Sequence, residues 1–193
     1  MALVAGEHKF MIAKDDATDG TNNKLYWGKN LSGKDVAGIT NISSGAGYIG
    51  EGKTYGTDFT TWSTGPVVDF NGKSNTAAII KGYTEHGVEM DARDMCKVLE
   101  TYNEGGYTDW YVPACGQLAL MYLAKDDIDA ALAKIGGTAL GIGAFWSSSE
   151  INSNYAWYVF FKNGYLFNTR FKDLDDRVRF VRDISSKSLK ERV

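Results

Sequence analysis

Proline, cysteine and histidine are scarce in this sequence, with two residues of each among 193. The two cysteines, Cys96 and Cys115, are too few for the disulfide framework of a small secreted domain. They are either two free thiols or one bridged pair. The histidines, His8 and His86, have no recognisable catalytic partners, and a lone histidine is usually structural or solvated. These scarcities give no support to nucleophilic catalysis.

An excess of positive charge and a long apolar run are also missing. The formal net charge is −3, so no general attraction to nucleic acids or anionic membranes is expected. No apolar stretch approaches the roughly 20 residues that span a bilayer. The stretch from Met1 to Asp16 lacks the apolar core of a secretory signal. We therefore expect neither nucleic-acid binding nor membrane insertion.

Aromatic residues (13%) and glycines (22) are abundant instead, which favours short strands joined by tight turns. The length suits one domain. Residues 1–74 are rich in Gly, Thr, Asn and Ser, and are predicted to be a β- and loop-rich N-terminal elaboration of that domain. Residues 75–184 are its predicted core, and residues 185–193 are a short tail.

Apolar residues at helical spacing are clearest in two segments. Asp91 is a candidate cap for a helix from Ala92 to Tyr102. The apolar positions from Leu118 to Ile135 predict one helix, or two helices with a break near Asp126. Residues 76–83 begin apolar and fit either a strand or a short helix.

Strict alternation of side chains predicts a β-hairpin around residues 157–167, because successive side chains of a strand point to opposite faces. The predicted inner row is Trp157, Val159, Phe161 and Leu166. The predicted outer row, which leaves neighbouring aromatic residues exposed, is Tyr158, Phe160, Lys162, Tyr165 and Phe167. Asn163 and Gly164 form a turn of the kind that needs positive φ. Alternation also predicts a last strand in residues 177–183.

Two kinds of residue are interleaved between Phe145 and Asp183. The scaffold set repeats a regular pattern and comprises Trp146, Ser147, Ser148, Ser149, Glu150, Ala156, Trp157, Val159, Phe161, Gly164, Leu166, Arg177, Val178, Arg179 and Val181. The mixed set has no common chemistry and comprises Ile151, Asn152, Asn154, Tyr155, Tyr158, Phe160, Tyr165, Phe167, Asn168, Thr169, Arg170, Phe171, Asp173, Leu174, Asp175 and Asp176. A catalytic site needs fixed groups, whereas a recognition surface tolerates such a mixture.

Four segments carry a family resemblance: GGYTDWYVPACGQLALMY, FWSSSE, AWYVFFKNG and RVRFVRD. Their order and spacing resemble the bacterial and phage lectin-like domains of the formylglycine-generating-enzyme type of C-type lectin fold. Within that family, the sequence looks most like the variable proteins of diversity-generating retroelements. The resemblance covers residues 75–183. It departs from the family pattern at Ala114–Cys115, Gln117 and Phe180.

The resemblance implies an α+β fold of the C-type lectin type, in which two helices pack on a small twisted antiparallel sheet. It also implies a variable segment, residues 145–183, in which adenines of an RNA template are copied with errors. A template codon of the Asn type cannot yield Lys, Glu, Gln, Met or Trp. Every member of the mixed set is reachable from such a codon, whereas Lys162 and Lys172 are not and are counted as scaffold.

The function implied is non-catalytic binding of a protein or glycan ligand on a cell or host surface, by a protein displayed on a virion or a cell surface. The sixteen residues of the mixed set are the expected ligand contacts, and no catalytic residue, metal or cofactor is expected. One alternative is a structural component of a phage tail or surface fibre. A second is an oxidase related to the formylglycine-generating enzyme, although Cys96 and Cys115 precede the β-rich terminal part that carries the cysteine pair in that enzyme.

The acidic run Asp173, Leu174, Asp175, Asp176 could suggest calcium, because carboxylate oxygens suit a hard cation. It lacks the spacing and the glycine of an EF-hand loop, and also the calcium-dependent sugar-binding patterns of animal C-type lectins. We interpret it as a solvated loop.

Overall fold

The computed structural model describes residues 2–5, 7–39, 42, 47–48 and 66–184. In this part the fold is mixed α/β, with few helices and three small antiparallel sheets. The remaining residues of the N-terminal elaboration and the tail at 185–193 lie outside the described residues, and so do the predictions made for them.

The helices are short and lie in the middle of the chain. They are α1 (Gly72–Glu85), α2 (Met95–Leu99), α3 (Cys115–Leu123) and α4 (Lys125–Lys134). Single 3-10 turns lie at Lys29–Leu31, Pro66–Val68 and Glu104–Gly106. The two-helix form of the prediction for residues 118–135 is confirmed, with the break at Ala124.

Helix α1 forms where the sequence allowed either a strand or a short helix. Its buried side includes Ile79, Gly82 and Tyr83, at the spacing of one helical face. The Thr76 hydroxyl donates a hydrogen bond to the Gly72 carbonyl, at 2.7 Å. Because α1 begins at Gly72, the division drawn at residue 74 falls inside it.

The predicted helix from Ala92 to Tyr102 is wrong at both ends, since only Met95–Leu99 is α-helical. The helix begins later than predicted because the Asp94 carboxylate is buried instead of lying at a helix surface. It accepts hydrogen bonds from the backbone N–H of Lys29, the backbone N–H of Asp91 and the hydroxyl of Tyr83, each at 2.8 Å. These contacts hold residues 91–94 in a turn, and this turn replaces the first part of the helix.

Within the described part of the chain, nine strands form the three sheets. They are β1 (Ala2–Ala5), β2 (His8–Ile12), β3 (Leu25–Tyr26), β4 (Gly47–Tyr48), β5 (Ala144–Glu150), β6 (Tyr155–Phe160), β7 (Tyr165–Phe171), β8 (Asp175–Asp176) and β9 (Val181–Asp183). The largest sheet has the order β4-β7-β6-β5, a second has the order β1-β2-β9, and β3 pairs with β8. All of these pairs are antiparallel.

The first and last parts of the chain are joined by these sheets and by buried charges. Strand β2 pairs with β9, and β3 pairs with β8. Arg179 is fully buried, and its guanidinium contacts the Asp16 carboxylate at 2.6 Å. The same guanidinium donates to the carbonyls of Ala13, Lys14 and Thr138. The N-terminal residues are therefore integral to the fold.

The largest sheet separates two hydrophobic clusters. In β5, Phe145 belongs to the cluster built around α3 and α4, whereas Trp146 belongs to the cluster that contains Trp27 and residues of α1. In β6, Trp157 and Val159 belong to the first cluster. The second cluster contains Ala156 and has Tyr158 packed against it. The predicted inner row of β6 is thus confirmed, but part of the row expected to face solvent covers a second core.

The last segment also differs from the prediction, because only Val181–Asp183 is a strand. Val178, Phe180 and Val181 are all buried, as is Arg179. The segment runs between the two clusters, so neither of its sides faces solvent over these residues. The side chains on both sides of this segment are therefore buried and do not alternate between core and solvent.

The hairpin turn between β6 and β7 occurs where the sequence predicts it. Gly164 has φ of +69°, a conformation that glycine adopts without steric cost. It also lies against Tyr122, whose ring a Cβ at this position would meet. Gly164 is therefore required both by the backbone conformation and by the close approach of α3.

Trp157→Ala is expected to lower the free energy of unfolding by about 3–5 kcal/mol, the usual cost of truncating a large buried side chain. The substitution also removes the hydrogen bond from the indole N–H to the Ile42 carbonyl, at 2.8 Å. Denaturant titration measures the change. Phe171→Ala is the control, because Phe171 is 43% exposed and its loss is expected to cost less than about 1 kcal/mol. Equal losses would contradict the division into fixed core and surface.

Candidate functional site

The mixed set divides into three groups by side-chain exposure, and a fourth group has no described side chains. Exposed members are Asn154, Phe171, Asp173 and Leu174. Half-buried members are Asn152, Tyr155, Tyr158, Phe160, Arg170 and Asp175, and buried members are Ile151 and Asp176. Only the backbone is described for Tyr165, Phe167, Asn168 and Thr169. Asn154 lies in the loop between β5 and β6, Asp173 and Leu174 lie in the loop between β7 and β8, and Phe171 is the last residue of β7 before that second loop.

An aromatic and aliphatic edge joins these two loops. Tyr155 and Phe171 are paired in the β6–β7 register, and their ring centroids are 4.5 Å apart. Leu174, three residues beyond Phe171, is 42% exposed. Rigid aromatic side chains beside adaptable polar ones give large contact areas at low entropic cost. We call residues 152–155 and 171–174 the recognition edge.

The aromatic residues predicted to be neighbours across the hairpin are paired in its backbone register. Tyr158 lies opposite Phe167, and Phe160 lies opposite Tyr165, in the antiparallel register. Tyr158 itself is less exposed than expected, because its ring meets the buried Trp146 edge-on at 5.9 Å. The Arg170 guanidinium lies 5.8 Å from the centre of the Tyr158 ring. Tyr158 is therefore in part a scaffold contact.

Two members of the mixed set do not face solvent, and the expectation that they do is wrong. Ile151 is 5% exposed and belongs to the α3–α4 cluster, because its position follows the last residue of β5 and points inward. Asp176 is 6% exposed and forms an ion pair with Arg170 at 2.9 Å. Burial raises the pKa of Asp176, and the nearby arginine partly opposes that rise. Leu174, for which burial was the obvious alternative, is exposed.

Several polar members shape the loops that carry the recognition edge. The Asn152 side-chain oxygen accepts hydrogen bonds from the backbone N–H groups of Asn154 and Tyr155, at 2.9 and 3.1 Å. Asp175 forms an ion pair with Arg93 at 2.6 Å, and its carbonyl accepts from Arg170. These contacts order the backbone, so the edge is presented in one conformation.

A constant loop, residues 28–36, lies beside the recognition edge, and the sequence patterns did not reveal it. The backbone N–H of Gly33 donates to the Ser153 carbonyl at 2.9 Å, and that of Gly28 donates to the Lys172 carbonyl at 3.1 Å. Lys29, Asn30 and Asp35 in this loop are exposed. No periodicity marks the loop, because the hydrogen bonds that fix it go to residues far along the chain.

Cys96 and Cys115 are free and buried, so of the two alternatives that the sequence left open the structure has two free thiols. Burial raises the pKa of both thiols, so thiolate formation is disfavoured. His86 contacts the Asp35 carbonyl through Nε2, and His8 stacks on Phe70.

Among the described residues, no cluster of three or more His, Cys, Asp or Glu side chains has the arrangement of a metal site. The described helices include none with the length and apolar character needed to cross a membrane.

Ile151→Ala and Leu174→Ala form a matched pair that tests this division of the mixed set. Loss of the buried Ile151 side chain is expected to cost about 2–5 kcal/mol of unfolding free energy. Loss of the exposed Leu174 side chain is expected to change it by no more than about 0.5 kcal/mol. Thermal or denaturant unfolding of both variants supplies the comparison. A Leu174→Ala variant as unstable as Ile151→Ala would show that the edge is part of the core.

Comparison with known proteins gives a family and a structural relative. Residues 16–182 match the model of the Lcl C-terminal domain, so the match begins well before the segment that carried the resemblance. No curated protein matches the chain. A fimbrial protein from Bacteroides ovatus is similar in structure, with a TM-score of 0.51 and 20% sequence identity over 62% of this chain.

The aligned region is 26% of that fimbrial protein, so the present chain corresponds to about a quarter of its length. At this identity the likeness concerns the fold alone. The family match is broader, because it runs from Asp16, before β3, to Arg182 in β9 and includes the whole recognition edge. The chain belongs to the Lcl C-terminal domain family.

Proposed function

We propose that this chain is a non-catalytic ligand-binding protein that acts at a cell or virion surface through its recognition edge. The observation that carries the proposal is the exposure of Phe171 and Leu174 on a hydrogen-bonded backbone, in which the Leu174 N–H donates to the Phe171 carbonyl at 3.1 Å and the Lys172 N–H donates to the Asn154 carbonyl at 3.0 Å. Large apolar side chains are seldom left in contiguous exposed groups without a role in binding. A rigid backbone limits the entropy lost when a ligand binds.

The ligand in this proposal is a protein or a glycan on another cell or a host, with a protein favoured. The edge combines aromatic rings, a leucine and small polar groups, which is the composition of adaptable protein-binding surfaces. Two acidic residues, Asp173 and Asp175, add charge at its end. The fold relative is a fimbrial protein, and this supports surface display as a part of the proposal.

The proposal includes a C-type lectin type of fold and diversification of the mixed set by a retroelement. The codon argument supports it, and so does the burial of Lys172, a residue that such a codon cannot yield. Ile151 and Asp176 are removed from the proposed ligand contacts because they are buried. Exposed and half-buried members remain, together with the four positions of β7 whose side chains are not described.

Deep sequencing of this gene from a natural population tests diversification. Substitutions concentrated at the mixed positions, with Lys162, Lys172 and the buried tryptophans unchanged, are the expected result. Substitutions scattered evenly over the gene would contradict it. A near-identical repeat beside a reverse transcriptase gene is the expected genomic neighbourhood.

A display library tests the recognition edge without knowledge of the natural ligand. Asn154, Tyr155, Phe171, Asp173 and Leu174 are randomised together, and the library is selected on yeast against purified lysozyme and against an array of glycans. The matched library randomises exposed or half-exposed residues elsewhere, namely Lys97, Thr101, Asn103, Asp127 and Ala131. Specific binders are expected from the first library only. Equal yields, or none from the first, would contradict the assignment of the edge.

A further inference from the structure

Lys172 is a fully buried lysine within a segment whose neighbours on both sides, Phe171 and Asp173, are exposed. Its ammonium group forms an ion pair with the carboxylate of Glu150, which is also fully buried. It also donates to the Lys34 carbonyl at 2.9 Å and lies 4.8 Å from the centre of the Trp27 ring. The side chain therefore passes beneath the recognition edge into the fold.

Three loops meet at this ion pair. The Glu150 carboxylate, at the end of β5, accepts from the backbone N–H of Val36 in the constant loop, at 3.3 Å. The Lys172 N–H donates to the Asn154 carbonyl at 3.0 Å, and the Lys172 carbonyl accepts from Gly28. The constant loop and both loops of the recognition edge are thus each bonded to Lys172 or Glu150.

Stability alone does not explain this pair. Removing two charges from water costs several kcal/mol per ion, and a well-packed apolar pair is often as stable or more stable. Burial accordingly raises the pKa of Glu150 and lowers that of Lys172, and in each case the partner opposes the shift. An apolar pair forms no directional contacts. The Lys172 ammonium and the Glu150 carboxylate, in contrast, hydrogen-bond to the Lys34 carbonyl and the Val36 N–H and so fix the positions of both groups.

We propose that Lys172 is a positioning residue for ligand recognition, and that its ion pair with Glu150 fixes the constant loop against the two loops of the recognition edge. The constant loop then forms an unvarying border of the binding surface, whatever residues occupy positions 154, 171, 173 and 174. The role of Lys172 in recognition rests on the proposed binding function. The position of the constant loop does not, and it can be measured without any ligand.

The test replaces both charges, since Lys172→Met or Glu150→Gln alone leaves one buried charge or polar group without its partner and can unfold the chain. The Lys172→Met/Glu150→Met variant is expected to fold with a moderately lower melting temperature, because the Lys34 carbonyl and the Val36 N–H lose their partners. Amide hydrogen exchange at Gly28, Gly33 and Val36 is expected to accelerate at least tenfold. The amides of Val159 and Leu120 in the opposite core are expected to keep their protection. Unchanged exchange in the constant loop would overturn the proposal.

Val159→Ala is the matched control, because it truncates a fully buried side chain in the other cluster. It is expected to lower the melting temperature without selective loss of protection at Gly28, Gly33 and Val36. Selective loss in this variant as well would show that these amides report global stability, and would also overturn the proposal. If the double variant fails to fold, Lys172→Gln/Glu150→Gln is measured instead, because it removes both charges and keeps neutral hydrogen-bonding groups, and a smaller but still selective loss is expected.

The effect on binding is measured in a variant of this protein that binds lysozyme, selected from the library in which the recognition edge is randomised. The double substitution is expected to weaken its affinity at least tenfold at a temperature where the variant is fully folded, whereas Val159→Ala leaves the affinity within about twofold. Full affinity in a folded double variant would overturn the role in recognition. If no binder is obtained from the library, faster exchange still supports the positioning of the loop, and only the proposed binding function fails.

Discussion

Buried charge that joins residues far apart in sequence is the interaction on which the rest of the structure depends. Arg179 has no solvent exposure, and its guanidinium is shared between the Asp16 carboxylate and three backbone carbonyls. A guanidinium in the interior is tolerated only when its donors are satisfied. The loop at 13–16, the segment at 138 and the segment at 178–180 that carries Arg179 must therefore come together in one geometry. The same contact between the first and last parts of the chain, which we call its closure, brings β2 beside β9 and β3 beside β8.

This closure determines where a binding surface can form. The largest sheet has a core on each face, because the N-terminal residues with Trp27 cover the side that a simple hairpin would leave open. In β5 and the first part of β6, side chains are consequently packed on both faces of the sheet, and the exposed members of the mixed set lie at 154, 171, 173 and 174. Hydrogen bonds in the segments 152–155 and 171–174 make the half-buried ring of Tyr155 and the exposed ring of Phe171 parts of a defined surface.

Local patterns predicted those elements whose residues obey one period throughout. The inner row of β6, the turn at Gly164 and the two helices between Cys115 and Lys134 were predictable for that reason. The start of α2 was not, because two donors from other segments, the Lys29 N–H and the Tyr83 hydroxyl, join the local Asp91 N–H at the Asp94 carboxylate and compete with helix formation. Ile151 was misplaced because the period of two does not continue past the end of β5, where the chain turns inward.

The sequence by itself determined which residues of the last quarter could belong to a fixed framework, since alternation and the exclusion of Lys172 from the mixed set depend only on residue identity. Tertiary structure decided which of the others reach solvent, and it separated Phe171 and Leu174 from Ile151 and Asp176. It also brought the constant loop at 28–36 beside them. Exposure is set by what packs from distant parts of the chain, and a period of two or 3.6 residues carries no information about those partners.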